Sequence, residues 1–347
     1  QLYCSCDHLP VCVCKPVQVC DHESSGEKGK GGEELMFLLI KFTLLYAVVL
    51  SLVALGGMFS ERSGVINIAL EGIMAIGGLA GVFVLSLFGG SMPTPALVAV
   101  SILASALAGL VYSLLLGFSA ITLKADQTIG GTALNMMATA FAIVVVKAFN
   151  NANANGSGAS SAKLTYDNSA FIYKLGPVTI NIFLIIGIII LICSHVFLFR
   201  TKWGLRLRAC GEHPQAADSV GINVYQWRYI GVMISGVLGG IGGFAYIVPS
   251  VTTWNFEVGV AGAGFLALAV MIFGQWKPYR IAAAAVFFAV FRSLANIADS
   301  TVLSTLGWSK NIYSMMPFIA SMIILAFTSK NSQAPKAEGI PYDKGAR

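Results

Sequence analysis

The chain has 347 residues, of which 56% are hydrophobic and 11% charged, and its formal net charge is +6. Soluble domains carry roughly 25% charged residues, so this composition, with its repeated apolar runs of about 20 residues, excludes a soluble globular domain and indicates a polytopic membrane protein. The net charge is modest and gives no ground for nucleic-acid binding; where the charges sit matters more than their sum.

Inside hydrocarbon every backbone N–H and C=O must be paired within the protein, which leaves helices or closed barrels as the only spanning structures. A membrane β-barrel would show segments of about ten residues with alternating polarity. None occur, so an all-α polytopic membrane protein is predicted, with about nine transmembrane helices and bounds of eight and ten.

In chain order, residues 1–35 are polar, rich in Gly, and hold five of the seven cysteines, Cys4, Cys6, Cys12, Cys14 and Cys20. Their C-x-C spacing differs from the C-x₂₋₄-C pairs of zinc sites, and no metal site is assigned. The segment is read as a disordered leader or an upstream artefact of the gene start, and is expected to be dispensable. From Met36 the chain turns apolar, and a membrane domain is predicted over 36–330, with a tail at 331–347.

The first span covers 36–57 and the second 65–89. Asn67 and Glu71 fall just inside the second. Polar groups at that depth are costly and face protein or water, so they either line a polar path or cap and pair near the interface. The third span, 96–121, repeats small residues every four positions at Ser101, Ser105, Gly109, Ser113 and Gly117. Such a stripe lets helix backbones approach closely in lipid. The fourth span, 129–149, has Asn135 in its first half, and a flexible loop is expected over 150–176 before a fifth span at 177–199. The sixth, 229–248, contains overlapping GxxxG pairs at Gly236/Gly240 and Gly239/Gly243. GFLALAVMIFG is too short to cross alone and is read as a broken or tilted seventh crossing, entered past Glu257. The eighth, 281–298, holds Arg292 well inside, where it needs a polar neighbour or a cavity. The ninth covers 313–328.

Between the fifth and sixth spans lies the basic loop 200–228, with Arg200, Lys202, Arg206, Arg208 and Arg228 against Glu212 and Asp218. Within it GEHPQAADSVGI reads as a short helix, since Pro214 suits a first helical position and Gly221 a stop. It is either a docking element or a solvated loop that sets topology. With this loop cytoplasmic, Arg62, Lys124, Lys277, Arg280 and Lys330 fall on the same side and Lys163, Lys174 and Lys310 on the other, which obeys the positive-inside rule. No GxSxG, HExxH or Walker A pattern is present, so no catalytic residue is assigned and ATP hydrolysis would belong to another chain.

Five stretches, GGMFSERSGVINIALEGIMAIGG, ADQTIGGTALN, GLRLRACGEHPQAADSVGINVYQWR, GAGFLALAVMIFGQWKPYR and APKAEGIPY, together resemble the permease subunits of bacterial ABC importers. The resemblance is to the nucleoside and simple-sugar branch, related to the ribose and branched-chain amino-acid permeases, and it runs from Met36 to the C-terminus. It implies a type II importer-like permease bundle, multi-pass in the bacterial cytoplasmic (inner) membrane. AADSVGINV is similar to the coupling-helix region of such importers. That role falls by resemblance on Gly211, Glu212, His213, Pro214, Ala216, Ala217, Asp218 and Gly221. The implied partners are a cytoplasmic ABC ATPase, a second permease subunit that is identical or related, and an extracytoplasmic substrate-binding lipoprotein. No cofactor is expected, the ATP being used by the partner. Asn67, Glu71, Asn135 and Glu257 are the polar residues best placed to meet a hydroxyl-rich solute. Nucleosides lead as that solute, riboflavin or a simple sugar is the alternative, and an ATP-independent channel or secondary transporter is the reading from a different class.

Overall fold

A computed structural model of the chain describes residues 28–153, 161–175, 178–297, 310–328 and 334–344. The chain divides after Met36, and the architecture below is that of Phe37–Arg347. Eleven α-helices are present among the described residues: α1 (Lys28–Arg62), α2 (Leu70–Phe88), α3 (Thr94–Gly117), α4 (Gln127–Asn153), α5 (Ile182–Arg200), α6 (Lys202–Glu212), α7 (Pro214–Ser219), α8 (Val224–Ile247), α9 (Ala263–Phe273), α10 (Pro278–Ile297) and α11 (Lys310–Thr328). Four short strands accompany them, β1 (Lys163–Thr165), β2 (Ile172–Leu175), β3 (Val178–Asn181) and β4 (Thr253–Asn255). β1 pairs antiparallel with β4, Leu164 opposite Trp254, and β2 with β3.

Seven helices among the described residues are long and apolar enough to cross a membrane: α1 from Met36, α2, α3, α4, α5, α8 and α10. Helix α9 has 11 residues, about 16 Å at 1.5 Å per residue, and is too short to cross alone, as GFLALAVMIFG foretold. The last helix, α11, carries Pro317 in its interior. The nine expected spans are thus seven by length and composition, and the difference lies in these two helices.

Several boundaries move. Residues 28–35, expected to be without structure, are helical in α1; residues 1–27, with the five early cysteines, lie outside the described residues, as do 331–333 and 345–347 of the tail. Helix α1 continues through Ser60, Glu61 and Arg62, which were expected in a loop. The second span begins only at Leu70, so Asn67 precedes its helix. Part of the loop expected at 150–176 forms β1 and β2, because extended backbone leaving one helix can pair with extended backbone leaving another. The basic loop narrows to 201–223, since α8 starts at Val224 and takes Arg228 with it.

The small-residue stripes meet as their spacing requires. Helices α2, α3 and α8 pack most extensively. A methyl group placed on Gly77 would collide with the Gly240 backbone, and one on Gly109 with the Gly236 carbonyl. The Ser105 hydroxyl donates to the Gly240 carbonyl at 2.7 Å across the α3–α8 contact. Without a hydrophobic drive between helices in lipid, this close backbone packing is what holds the bundle together.

One end of the bundle gathers the basic connections. A methyl on Gly211 would strike the Arg62 carbonyl. The Gln127 side chain accepts from the Ile66 N–H at 2.7 Å, and the Trp276 indole donates to Glu61 at 2.6 Å. The turn after α1, the α3–α4 connection, α6–α7 and the α9–α10 turn therefore share one face. The β1–β4 pair marks the other.

Candidate functional site

The basic face is built around α6 and α7. Thr201 caps α6, its hydroxyl accepting from the Gly204 N–H at 3.2 Å. The helix ends at His213, whose φ of −143° and ψ of 83° break the chain. Pro214 then opens α7, where its missing N–H and fixed φ suit a first helical position. Gly221 takes φ +83° with no atom within 4 Å of where a Cβ would sit. Asn223 restarts the helix by accepting from the Gln226 N–H at 3.3 Å.

This geometry divides the eight residues of the expected coupling element. His213, Ala216 and Gly221 are exposed and point away from the bundle, whereas Gly211 and Ala217 are buried against it. Pro214, Glu212 and Asp218 lie between the two. Glu212 pairs with Arg62 of α1 at 3.5 Å, and Asp218 faces Lys344 at 4.0 Å. The element thus leaves one surface exposed while the opposite surface is tied to α1 and to the C-terminal segment.

Of the four polar residues expected to meet a solute, three converge on the place where α2 starts and α9 begins. The Glu71 carboxylate accepts from the Gly262 N–H at 2.8 Å and from the Gly264 N–H at 2.6 Å. It therefore caps α9 from another helix, where the unpaired N–H groups and the positive end of the helix dipole favour an anion. The chain enters α9 through left-handed conformations at Gly259, Ala261 and Gly262, with φ of 61°, 53° and 75°. Asn135 on α4 bridges the entry of α2, accepting from the Gly72 N–H at 2.8 Å and donating to the Ile68 carbonyl at 2.8 Å. Asn67 donates to the Ser235 hydroxyl of α8 at 2.7 Å, and its buried Oδ1 has no partner among the described residues. Glu257 is not brought to this cluster. It lies exposed beside β4 and pairs with Lys147 at 3.1 Å, and the Lys147 ammonium holds its carboxyl below the usual carboxylate range.

Arg292 finds the polar neighbour its depth demands. It donates to the Tyr246 hydroxyl of α8 at 3.2 Å. Nearby, Asn296 bonds the Tyr46 hydroxyl of α1, and the Tyr46, Tyr246 and Trp254 rings follow one another at 6.0 and 5.8 Å.

The basic face also contains contacts that sequence reasoning passed over. Residues 334–344 lie across it rather than trailing away. Glu61 and Glu338 form a hydrogen-bonded carboxyl pair, and Arg228, 1% exposed, donates to the Ile340 carbonyl at 2.9 Å. Burial pushes the Glu338 carboxyl above its usual range. The only signal in the sequence was the short apolar-polar run APKAEGIPY after a membrane helix, which by itself has no partner to point to.

Residues 39–326 match the family described as branched-chain amino acid transport system / permease component. The chain is 39% identical over 319 residues to the guanosine ABC transporter permease protein NupQ of Bacillus subtilis, covering 90% of this chain and 99% of that protein. It is 38% identical over 318 residues to the nucleoside ABC transporter permease protein NupC of Lactococcus lactis, covering 88% and 97%. It is 27% identical over 278 residues to the putative glucose ABC transporter permease protein TsgC13 of Haloferax volcanii, covering 77% and 79%.

Proposed function

The chain belongs to the branched-chain amino acid transport system permease family, and from that membership we propose that it is the membrane subunit of an ATP-driven importer that brings nucleosides across the bacterial cytoplasmic membrane. The observation that carries the solute is the identity of 38–39% to NupC and NupQ along nearly the whole of each chain. The sugar reading is weaker by the same measure, at 27% to TsgC13 over a shorter stretch.

In this reading α7 seats in a cleft of the cytoplasmic ATPase. His213, Ala216 and Gly221 face that partner, while Gly211, Glu212, Pro214, Ala217 and Asp218 anchor the element to the bundle. A second permease subunit completes the path, and an extracytoplasmic binding protein delivers solute. ATP binding displaces α7, and the helices rock between outward- and inward-open arrangements. Short α9, together with the loop that enters it, and α11 complete a nine-crossing bundle. A half-span helix suits a polar path, because irregular backbone is tolerated at membrane depth only where it is buried in protein or lines a cavity. Glu71 and Asn135 hold the two broken entries in register. Asn67, whose Oδ1 has no partner among the described residues, is the group to meet a solute hydroxyl or amino group, and Glu257 borders the outer mouth.

Reconstitution of the complete complex in vesicles tests the reading, with radiolabelled nucleosides, riboflavin and pentoses offered in parallel. Saturable nucleoside uptake that stops when the ATPase is inactivated is the expected result. Uptake that survives inactivation would establish a channel or secondary carrier instead, and pentose uptake without nucleoside uptake would move the chain to the sugar branch.

A further inference from the structure

The segment 334–344 touches the turn after α1, the α3–α4 connection, α6, α7 and α8. The Ala337 N–H donates to the Gly211 carbonyl of α6 at 2.9 Å, and the Gly339 N–H to the Gly64 carbonyl of the turn after α1 at 3.3 Å. Gly339 has φ +75°, and a Cβ there would sit 2.7 Å from the Ile66 side chain, so the close approach to this turn depends on glycine. The Tyr225 hydroxyl of α8 donates to the Tyr342 carbonyl at 3.3 Å, with the two rings 5.3 Å apart. Asp343 pairs with Lys124 of the α3–α4 connection at 3.2 Å, and Lys344 reaches Asp218 of α7 at 4.0 Å. Ala337 and Tyr342 are buried by these contacts.

Two of the attachments involve groups that cannot be left alone. Arg228 is 1% exposed, its Nη1 donates to Ile340, and its Nε and Nη2 have no hydrogen-bond partner among the described residues. Lifting the segment would remove that bond from a buried cation, which is strongly disfavoured. Glu338 is likewise tied to Glu61, the residue that also accepts from Trp276. Two hydrogen-bonded carboxyls must share a proton. Backbone hydrogen bonds thus run from one segment to both α6 and the α1 turn, while the ion pairs reach α7 and the α3–α4 connection.

We propose that residues 334–344 form a strap that transmits displacement of α6–α7 to the α1 turn and to α8, with Glu338 as the positioning residue that locks the strap onto Glu61. This rests on the ATP-coupled reading above. Its consequence is that ATP hydrolysis and solute movement come apart when the lock is opened, although Glu338 touches neither nucleotide nor solute.

The charged group facing the lock is Arg62 on α1, which is itself flanked by Glu212 and Arg208 of α6. With the Glu338 carboxyl held above its usual range by burial, docking favours its protonated form. Its contribution is complete below the carboxyl's free value and is lost as pH rises through the docked value.

The test is uptake per ATP hydrolysed by the complete complex in vesicles. Glu338→Ala is expected to lower that ratio by about fivefold or more, the range of a typical coupling energy, with the complex still assembled. Glu338→Gln is expected to restore it, because the amide can donate to Glu61 without ionising. The wild-type ratio should fall on raising the pH while that of Glu338→Gln stays flat. A wild-type ratio in Glu338→Ala, or a pH profile of Glu338→Gln that follows the wild type, overturns the strap. If Glu338→Ala fails to assemble, the Glu338→Gln profile decides alone. A wild-type complex that moves some other solute corrects the substrate reading, and the same ratio then judges the strap. Wild-type uptake that needs no ATP removes the coupling and the strap together.

Discussion

Glu71, whose depth in a span marked it as a residue to meet a solute, caps a helix in the structure. An ionised carboxylate inside a membrane span is costly unless it is paired, and here its pairing is with the first N–H groups of α9. Replacing it with alanine leaves those donors buried and unpaired. The expected cost is about 2–3 kcal/mol, read as a lower melting temperature of the protein in detergent. Glu71→Gln keeps one carbonyl acceptor and should lose about half as much. If Glu71→Ala melts as the wild type but transports poorly, the residue belongs to the path and not to the cap. Arg292 is the complementary case, since a cation at depth demanded a neighbour and Tyr246 supplies it.

At the scale of elements, the α3–α8 contact and α7 make opposite predictions for small residues. Where two backbones touch, a side chain has nowhere to go. Gly240→Val is expected to destabilise the bundle by about 1–3 kcal/mol or more. Ser105→Ala removes only the 2.7 Å bond to the Gly240 carbonyl and should lose about 0.6 kcal/mol, the average for such bonds in membranes. Thermal unfolding of the two variants side by side checks the order. On α7 the neighbours Ala216 and Ala217 differ in the same sense, the first exposed and the second 4% exposed. Ala216→Trp is expected to leave the melting temperature unchanged while abolishing uptake, and Ala217→Trp to lower the melting temperature. Normal uptake in Ala216→Trp would count against α7 as the docking element.

For the molecule as a whole, the sidedness of charge is the property most directly open to measurement. The basic connections converge on the face that carries α6, α7 and the strap, and Lys163 lies with the β1–β4 pair on the other. In intact cells an impermeant thiol reagent should label Lys163→Cys and not Lys202→Cys, and inverted membrane vesicles should show the reverse. Labelling of both from outside would break the topology. The same arrangement explains why so many groups meet at one end: the turn after α1, the α3–α4 connection and the α9–α10 turn are brought together only because the helices between them cross the bilayer.

The apolar helices, the gathering of basic connections at one end and the packing stripes were legible in the sequence because each depends on local quantities. Apolar length decides what crosses, charge near a span decides which side faces inward, and a four-residue spacing of small side chains decides which face can touch another helix. The short helix opened by Pro214 and closed by Gly221 was legible for the same reason, since caps are local. What the sequence could not reveal were the partners across the bundle. Glu71 and Gly262 are 191 residues apart, and Arg228 and Ile340 are 112 apart; no periodicity links them. That Glu71 caps α9, and that residues 334–344 lie across the basic face, was decided by tertiary structure alone. The physical reason is that a buried polar group must be satisfied by whatever the fold brings beside it, and that neighbour is set by the packing of whole helices.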